Sequence, residues 1–186
     1  MNDSGSPATH GDPRLGAALR AAIRDVPDFP KPGIAFKDIT PVLLDAPLFR
    51  RTTEAMAAPF RDSGISHVVA IESRGFILGA PVAQHLGAAF VPVRKPGKLP
   101  ALVERIDYAL EYGTDALEMH RDALRARHKV LLVDDVLATG GTAAAACGIV
   151  ERLGGEVVAC SFLIVLNALG GWRRLAGRRV ETVLVL

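Results

Sequence analysis

The sequence predicts an α/β fold, an open and mostly parallel twisted sheet flanked by helices, with a flexible lid loop. Two observations predict it. From residue 67 onward, short apolar runs alternate with helix-like segments, the rhythm of strands that pair in parallel through helical crossovers. Within that rhythm stands VLLVDDVLATGGTAAAA, residues 130–146: an apolar run, two carboxylates, a loop of small residues and an Ala-rich helix. An apolar fraction of 49% over 186 residues is ample for the core of one domain.

The elements follow in order. Residues 1–12 are polar and rich in Ser, Gly and Asp, and read as a frayed tail ahead of a single domain spanning 13–186. Leu15, Ala18, Leu19, Ala22, Ile23 and Val26 recur at helical spacing, which predicts an amphipathic helix over 13–26 with Pro13 in its first turn. The Pro-rich segment 27–41 is too proline-dense for a helix and reads as a rigid extended flap. A second helix runs over 48–61, ended by Ser63-Gly64. Strands are predicted at 67–71, 89–93, 129–133, 157–166 and 180–186. Helices are predicted at 76–86, capped by Gly87, and at 142–153, capped by Gly154-Gly155. The interval 95–117 breaks the rhythm. It is long and charged, and reads as a lid or as a plain surface hairpin.

Composition excludes several classes. A formal net charge of +2, with 22 basic and 20 acidic residues interspersed, offers no nucleic-acid or membrane surface. No apolar run spans a bilayer, and residues 1–11 lack the hydrophobic centre of a secretory signal. Cys147 and Cys160 read as buried reduced thiols, with no CxxC or Cys/His spacing for zinc. Together these place the chain in the cytoplasm. The five histidines sit away from the chemical motifs and read as structural or solvent-facing.

The loop Ala138-Thr139-Gly140-Gly141-Thr142 suits a phosphate. Glycines let backbone N–H groups approach an anion, two threonine hydroxyls donate, and the helix N-terminus adds partial positive charge. Asp134 and Asp135 would repel a phosphate, so they serve another group. Vicinal hydroxyls donate to carboxylates, and a diol beside a phosphate means a ribose 5-phosphate. The motif is neither a Walker A loop nor a GxGxxG turn.

Glu72-Ser73-Arg74-Gly75 offers a second strand-to-helix loop with a guanidinium suited to forked phosphate oxygens, so the second anion is a diphosphate. A surface salt bridge is the alternative for Arg74. Arg94, Lys95 and Lys98 form either a basic turn or the cationic mouth of an anionic site. Phe36 either stacks on a flat heterocycle or plugs the core. Glu111 is either a solvated glutamate or a group that manages a proton under a closing lid.

Taken in order, PKPGIAFKDITPVL, IESRGF, VRKPGKLP, YALEYGTDALEMH, VDDVLATGGT and CSFLIVLNALGG resemble the adenine phosphoribosyltransferase family of type I phosphoribosyltransferases over about residues 29–171. The ATGGT run is shared by all type I members, while the PGIAFKDIT flap and LEYG lid mark the adenine branch. The resemblance implies a purine-salvage homodimer with a small N-terminal hood at about 27–45. It implies that adenine and phosphoribosyl pyrophosphate become AMP and pyrophosphate, with Mg2+ held mainly by substrate and inversion at C1 of the ribose.

By matched motif, Ala138, Thr139, Gly140, Gly141 and Thr142 hold the 5-phosphate, and Asp134 and Asp135 the ribose hydroxyls. Ser73, Arg74, Lys95 and Lys98 hold pyrophosphate, with Arg94 acting across the dimer interface. The backbone of Ala35 and Lys37 reads the adenine edge, with Phe36 against the ring. Arg74 and Glu111 are the catalytic candidates, Tyr112 is the lid neighbour of Glu111, and the Glu72–Ser73 peptide is cis. The chain departs from the family in its long tail, in Ala101 and in the segment 102–106. Two rivals remain: a 6-oxopurine as the accepted base, and a ligand-sensing regulator, for which residues 1–26 leave room for one helix only.

Overall fold

The computed structural model describes residues 7–109 and 114–186. In chain order the elements are β1 (Ala8–Thr9), α1 (Pro13–Ala22), β2 (Arg24–Val26), β3 (Phe36–Asp38), α2 (Thr40–Leu44) and α3 (Ala46–Ala57). They continue with β4 (His67–Ile71), α4 (Arg74–Leu86), β5 (Ala89–Val93), β6 (Val103–Ala109) and β7 (Thr114–His120). The last are β8 (Lys129–Leu137), α5 (Gly141–Arg152), β9 (Glu156–Val165) and β10 (Arg179–Val185). Six strands pair in the order β1-β10-β9-β8-β4-β5, every neighbour parallel. The predicted fold class is the one observed. Among the described residues, no helix is long and apolar enough to cross a membrane.

Strand periodicity builds the core on both faces. On β8, Val130 and Leu132 point to the layer formed by α5 and β7, whereas Leu131 and Val133 point to α1, α3 and α4. A central strand covered on both sides reads as an unbroken apolar run, so VLLV shows no alternation in sequence. Caps set the helix starts. Asp12 accepts the Arg14 N–H at 2.8 Å and Asp45 accepts the Leu48 N–H at 3.0 Å, each one residue before a helix. Gly87 ends α4 in the left-handed region.

Five expectations need correction. The first helix stops at Ala22, because Ile23 turns extended and Arg24–Val26 pairs antiparallel with Phe36–Asp38. The tail is not frayed up to residue 12: Ala8–Thr9 adds a strand to the sheet beside β10, and His10 bonds Glu181 at 3.0 Å. β8 runs through both acids to Leu137, since its pairing with β9 continues to Val165. The interval 95–117 is largely a paired hairpin rather than a loose loop. β6 and β7 are antiparallel, and Leu117 and Met119 are fully buried against the α5 layer. The flap also closes sooner than expected. Asp38 accepts the N–H and hydroxyl of Thr40, at 2.9 and 2.6 Å, and α2 begins there.

Candidate active site

The chain passes from β4 outward to β5, then returns to the other side of β4 as β8. That reversal opens a crevice at the carboxyl ends of β4 and β8, the place where ligands bind in open α/β sheets. A cavity of about 930 Å3 lies there. Its walls are residues 33–37, residues 71–74, Lys95, residues 134–143, and the apolar Leu166, Leu169 and Leu186.

The loop after β8 is shaped by backbone packing. Gly140 has φ +80°, and a Cβ there would stand 2.1 Å from the Gly171 carbonyl oxygen. A Cβ on Gly171 would stand 2.0 Å from the Ala138 carbonyl oxygen, so the two glycines interlock. The loop therefore enters α5 at a fixed angle, with the helix N-terminus at the cavity wall. Gly75 at the start of α4 allows a second close approach. A Cβ there would lie 2.8 Å from Asp134 Oδ1, so the loop after β4 packs directly on the acid pair.

The acid pair is asymmetric. Asp135 is buried and accepts a hydrogen bond from Arg74 Nε. Asp134 is half-buried, and its Oδ1 accepts the Asp135 N–H at 2.9 Å. Loss of water around Asp134, reinforced by the charge of Asp135, pushes its carboxyl well above the ordinary range. The Arg74 guanidinium lies 4.7 Å from the centre of the Phe36 ring, which in turn meets Phe29 edge-on at 5.1 Å. Phe36 therefore faces the cavity rather than plugging the core, and Arg74 joins flap to acid pair. The Glu72–Ser73 peptide is cis, as the resemblance implies, and Phe29–Pro30 is cis as well.

Lys95 lines the cavity, but Arg94 and Lys98 do not. Arg94 instead holds Glu72 of its own chain through Nε and Nη2, at 3.1 and 3.2 Å, and the Lys98 carbonyl at 3.1 Å. Burial works to raise the Glu72 carboxyl, yet the hydrogen bonds from Arg94 and the Lys95 N–H outweigh it and hold it low. Lys95 Nζ donates to Asp115, and to Tyr108 Oη at 3.2 Å. Burial disfavours the ammonium, but those bonds prevail and the Lys95 pKa is raised. Thr142 Oγ1 also donates to Tyr108 Oη, at 3.3 Å, so the β6–β7 hairpin is tied to the loop before α5.

The structure thus gathers Ala35, Phe36, Lys37, Ser73, Arg74, Lys95, Asp134, Asp135 and residues 138–142 around one cavity. Glu111 and Tyr112 lie outside the described residues. Sequence reasoning gave no role to Tyr108, Asp115 or Gly171. The alternation in 103–109 and 114–120 was the available signal for the hairpin, whose register sets Tyr108 opposite Asp115. His67 and His128 stack at 4.0 Å, and both precede the apolar runs of their strands, at the edge opposite the cavity.

Comparison with known proteins agrees with this geometry. The phosphoribosyl transferase domain family matches residues 43–179. The adenine phosphoribosyltransferase of Myxococcus xanthus is 59% identical over 175 residues, covering 93% of this chain and 94% of that protein. The chain belongs to the adenine phosphoribosyltransferase family. The crystal structure of the Rhodothermus marinus adenine phosphoribosyltransferase superposes with a TM-score of 0.91 at 56% identity, covering 94% of this chain and all of that one. The Saccharomyces cerevisiae adenine phosphoribosyltransferase, solved with an imino-altritol bisphosphate and adenine, gives 0.88 at 36% identity, covering 93% of this chain and 100% of that one.

Proposed function

We propose that this chain transfers the 5-phosphoribosyl group of phosphoribosyl pyrophosphate to adenine, giving AMP and pyrophosphate in purine salvage. One observation carries the reading: a single cavity at the sheet's reversal point joins the 138–142 loop, the acid pair, Arg74 and the Phe36 flap. Residues 138–142 take the 5-phosphate on backbone N–H groups and hydroxyls. Asp134 and Asp135 accept the ribose hydroxyls. Ser73, Arg74 and Lys95 take the diphosphate, which draws Arg74 from Asp135 and Lys95 from Asp115. Adenine lies under the flap, its edge on the backbone of Ala35 and Lys37 and its face toward Phe36. The relative solved with adenine supports this choice of base.

In the reaction the C1–O bond to the diphosphate breaks and a C1–N9 bond forms on the opposite face, inverting C1. Arg74 and Lys95 stabilise the charge gathering on the departing diphosphate. The carboxylates of Asp134 and Asp135 favour positive charge developing on the ribose. Holding both reactants in line supplies up to roughly 7–11 kcal/mol of the barrier. Glu111 receives the N9 proton or orients the water that does.

The donor set fits a divalent ion carried in by the substrate, because the carboxylates of Asp134 and Asp135 line the cavity beside the loops read as phosphate sites. When bound, Mg2+ neutralises charge on the diphosphate. A homodimer and a cytoplasmic location belong to the same reading. The Cys147 and Cys160 sulfurs lie 3.7 Å apart as free thiols, a pair that suits a reducing compartment. Light scattering tests the dimer.

The test of function is product formation from phosphoribosyl pyrophosphate and Mg2+ with adenine, hypoxanthine, guanine or xanthine. AMP from adenine, with no product from the oxopurines, is the expected result. Turnover with an oxopurine alone would keep the phosphate sites and overturn the reading of the flap. Binding without turnover would favour a regulator.

A further inference from the structure

Glu118 lies on β7 and forms no part of the cavity wall. It is 7% exposed, an expensive place for a charge. Its Oε2 accepts the Gly97 backbone N–H at 2.9 Å. Its own backbone exchanges two hydrogen bonds with Arg94, at 2.9 and 2.8 Å. Glu72 accepts the Lys95 N–H at 3.1 Å from the other side. Residues 94–98 are therefore gripped at successive points by two carboxylates, and between those points Lys95 reaches into the cavity wall. A backbone N–H bonded to a carboxylate is a charge-assisted bond, roughly twice as strong as a neutral one. β7 itself is anchored by Leu117 and Met119 on either side of Glu118, so the grip is rigid.

We propose that Glu118 is a positioning residue for the transfer reaction: by holding the Gly97 N–H from a core-anchored strand, it fixes the loop that presents Lys95 to the diphosphate. This rests on the reading of Lys95 as a diphosphate ligand. Glu118 meets neither substrate and acts only through the loop. Its removal therefore affects the diphosphate substrate and spares adenine.

The experiment compares the full-length wild type with Glu118→Ala, Glu118→Gln and Lys95→Ala. It reads KM for each substrate, kcat, and hydrogen exchange at the Gly97 amide. Glu118→Ala is expected to raise KM for phosphoribosyl pyrophosphate about tenfold, leave KM for adenine within about twofold, and speed exchange at Gly97. Glu118→Gln keeps an acceptor oxygen and is expected to restore most of the loss. Suppose Glu118→Ala matches wild type while Lys95→Ala is impaired: the positioning role is overturned and the Lys95 reading stands. If both match wild type, the Lys95 reading falls and the proposal falls with it. Equal losses toward both substrates would mark a merely structural residue and also overturn it. Should Glu118→Ala not fold, exchange in the wild type decides: a protected Gly97 amide supports the grip, and exchange as fast as an open loop contradicts it.

Discussion

The 138–142 loop and the 94–120 region flank the same cavity but are built in opposite ways. The first is made of backbone. Its donors are mainly N–H groups, and its angle is set by the main-chain Gly140–Gly171 interlock. The second is made of charges held by other charges: Arg94 by Glu72, Lys95 by Asp115, and the Gly97 N–H by Glu118. Arg74 belongs with the second kind, since Asp135 holds it. The difference teaches where a ligand must displace something. On the proposed reading, a phosphate at the 138–142 loop would break no ion pair, whereas a diphosphate would compete with carboxylates for Arg74 and Lys95. Rigidity serves the first region and exchangeable pairing serves the second.

The largest effect separating the two should come from Gly171→Ala. The new Cβ would stand 2.0 Å from the Ala138 carbonyl oxygen, so the cradle must shift. A loss of at least about 100-fold in kcat/KM is expected, about 3 kcal/mol, with the far-UV circular dichroism retained. Activity near wild type would mean that the cradle tolerates movement and that the contrast is overstated. Next comes Asp134→Asn combined with Asp135→Asn, expected to weaken phosphoribosyl pyrophosphate binding in calorimetry by about ten- to a hundredfold. Retained affinity would remove the ribose hydroxyls from the acid pair.

How much of this was legible in the sequence follows the same division. The strands of the main sheet from residue 67 onward were readable because continuous apolar runs and glycine caps are local signals. The 138–142 loop was readable because small residues before a helix carry their own chemistry. The β6–β7 hairpin was legible only as one of two readings, because charges blur its alternation and its buried Leu117 and Met119 show their role only once α5 packs on them. The Arg94–Glu72 pair is hidden by distance along the chain. Glu72 lies 22 residues away and no local pattern announces the pair. The last turn of the first predicted helix was lost to a strand partner at Phe36–Asp38, a tertiary pairing that outweighs helical periodicity.

The acid pair sharpens the comparison through pH. Because the Asp134 carboxyl is pushed above the ordinary carboxylate range, the charged, stronger acceptor proposed for the ribose hydroxyls exists only above that raised value. Phosphoribosyl pyrophosphate affinity should therefore fall, as pH is lowered, at a higher pH than an ordinary aspartate allows, and Asp134→Asn should flatten that limb. For stability the sign reverses. A raised native pKa favours the fold at low pH, and that contribution is lost as pH rises through the native value. Asp134→Asn should therefore gain relative stability on the alkaline side, read from denaturant midpoints across pH. A stability difference that is constant with pH would contradict the raised pKa.

Smaller effects test the charged region. Lys95→Ala should raise KM for phosphoribosyl pyrophosphate about tenfold, the weight of one charge-assisted contact. Arg94→Ala should cost least, within about threefold, because Arg94 lies outside the cavity wall and Glu72 keeps the Lys95 N–H. A larger loss in Arg94→Ala than in Lys95→Ala would reverse the assignment of the two cations.

The most direct measurement is a crystal structure with adenine and a non-hydrolysable analogue of phosphoribosyl pyrophosphate. The 5-phosphate is expected on the N–H groups and hydroxyls of residues 138–142. The ribose hydroxyls should lie on Asp134 and Asp135, and the diphosphate on Arg74 and Lys95, both released from their carboxylates. A substrate bound the other way round, with its diphosphate in the 138–142 loop, would contradict the division between the backbone cradle and the charged wall.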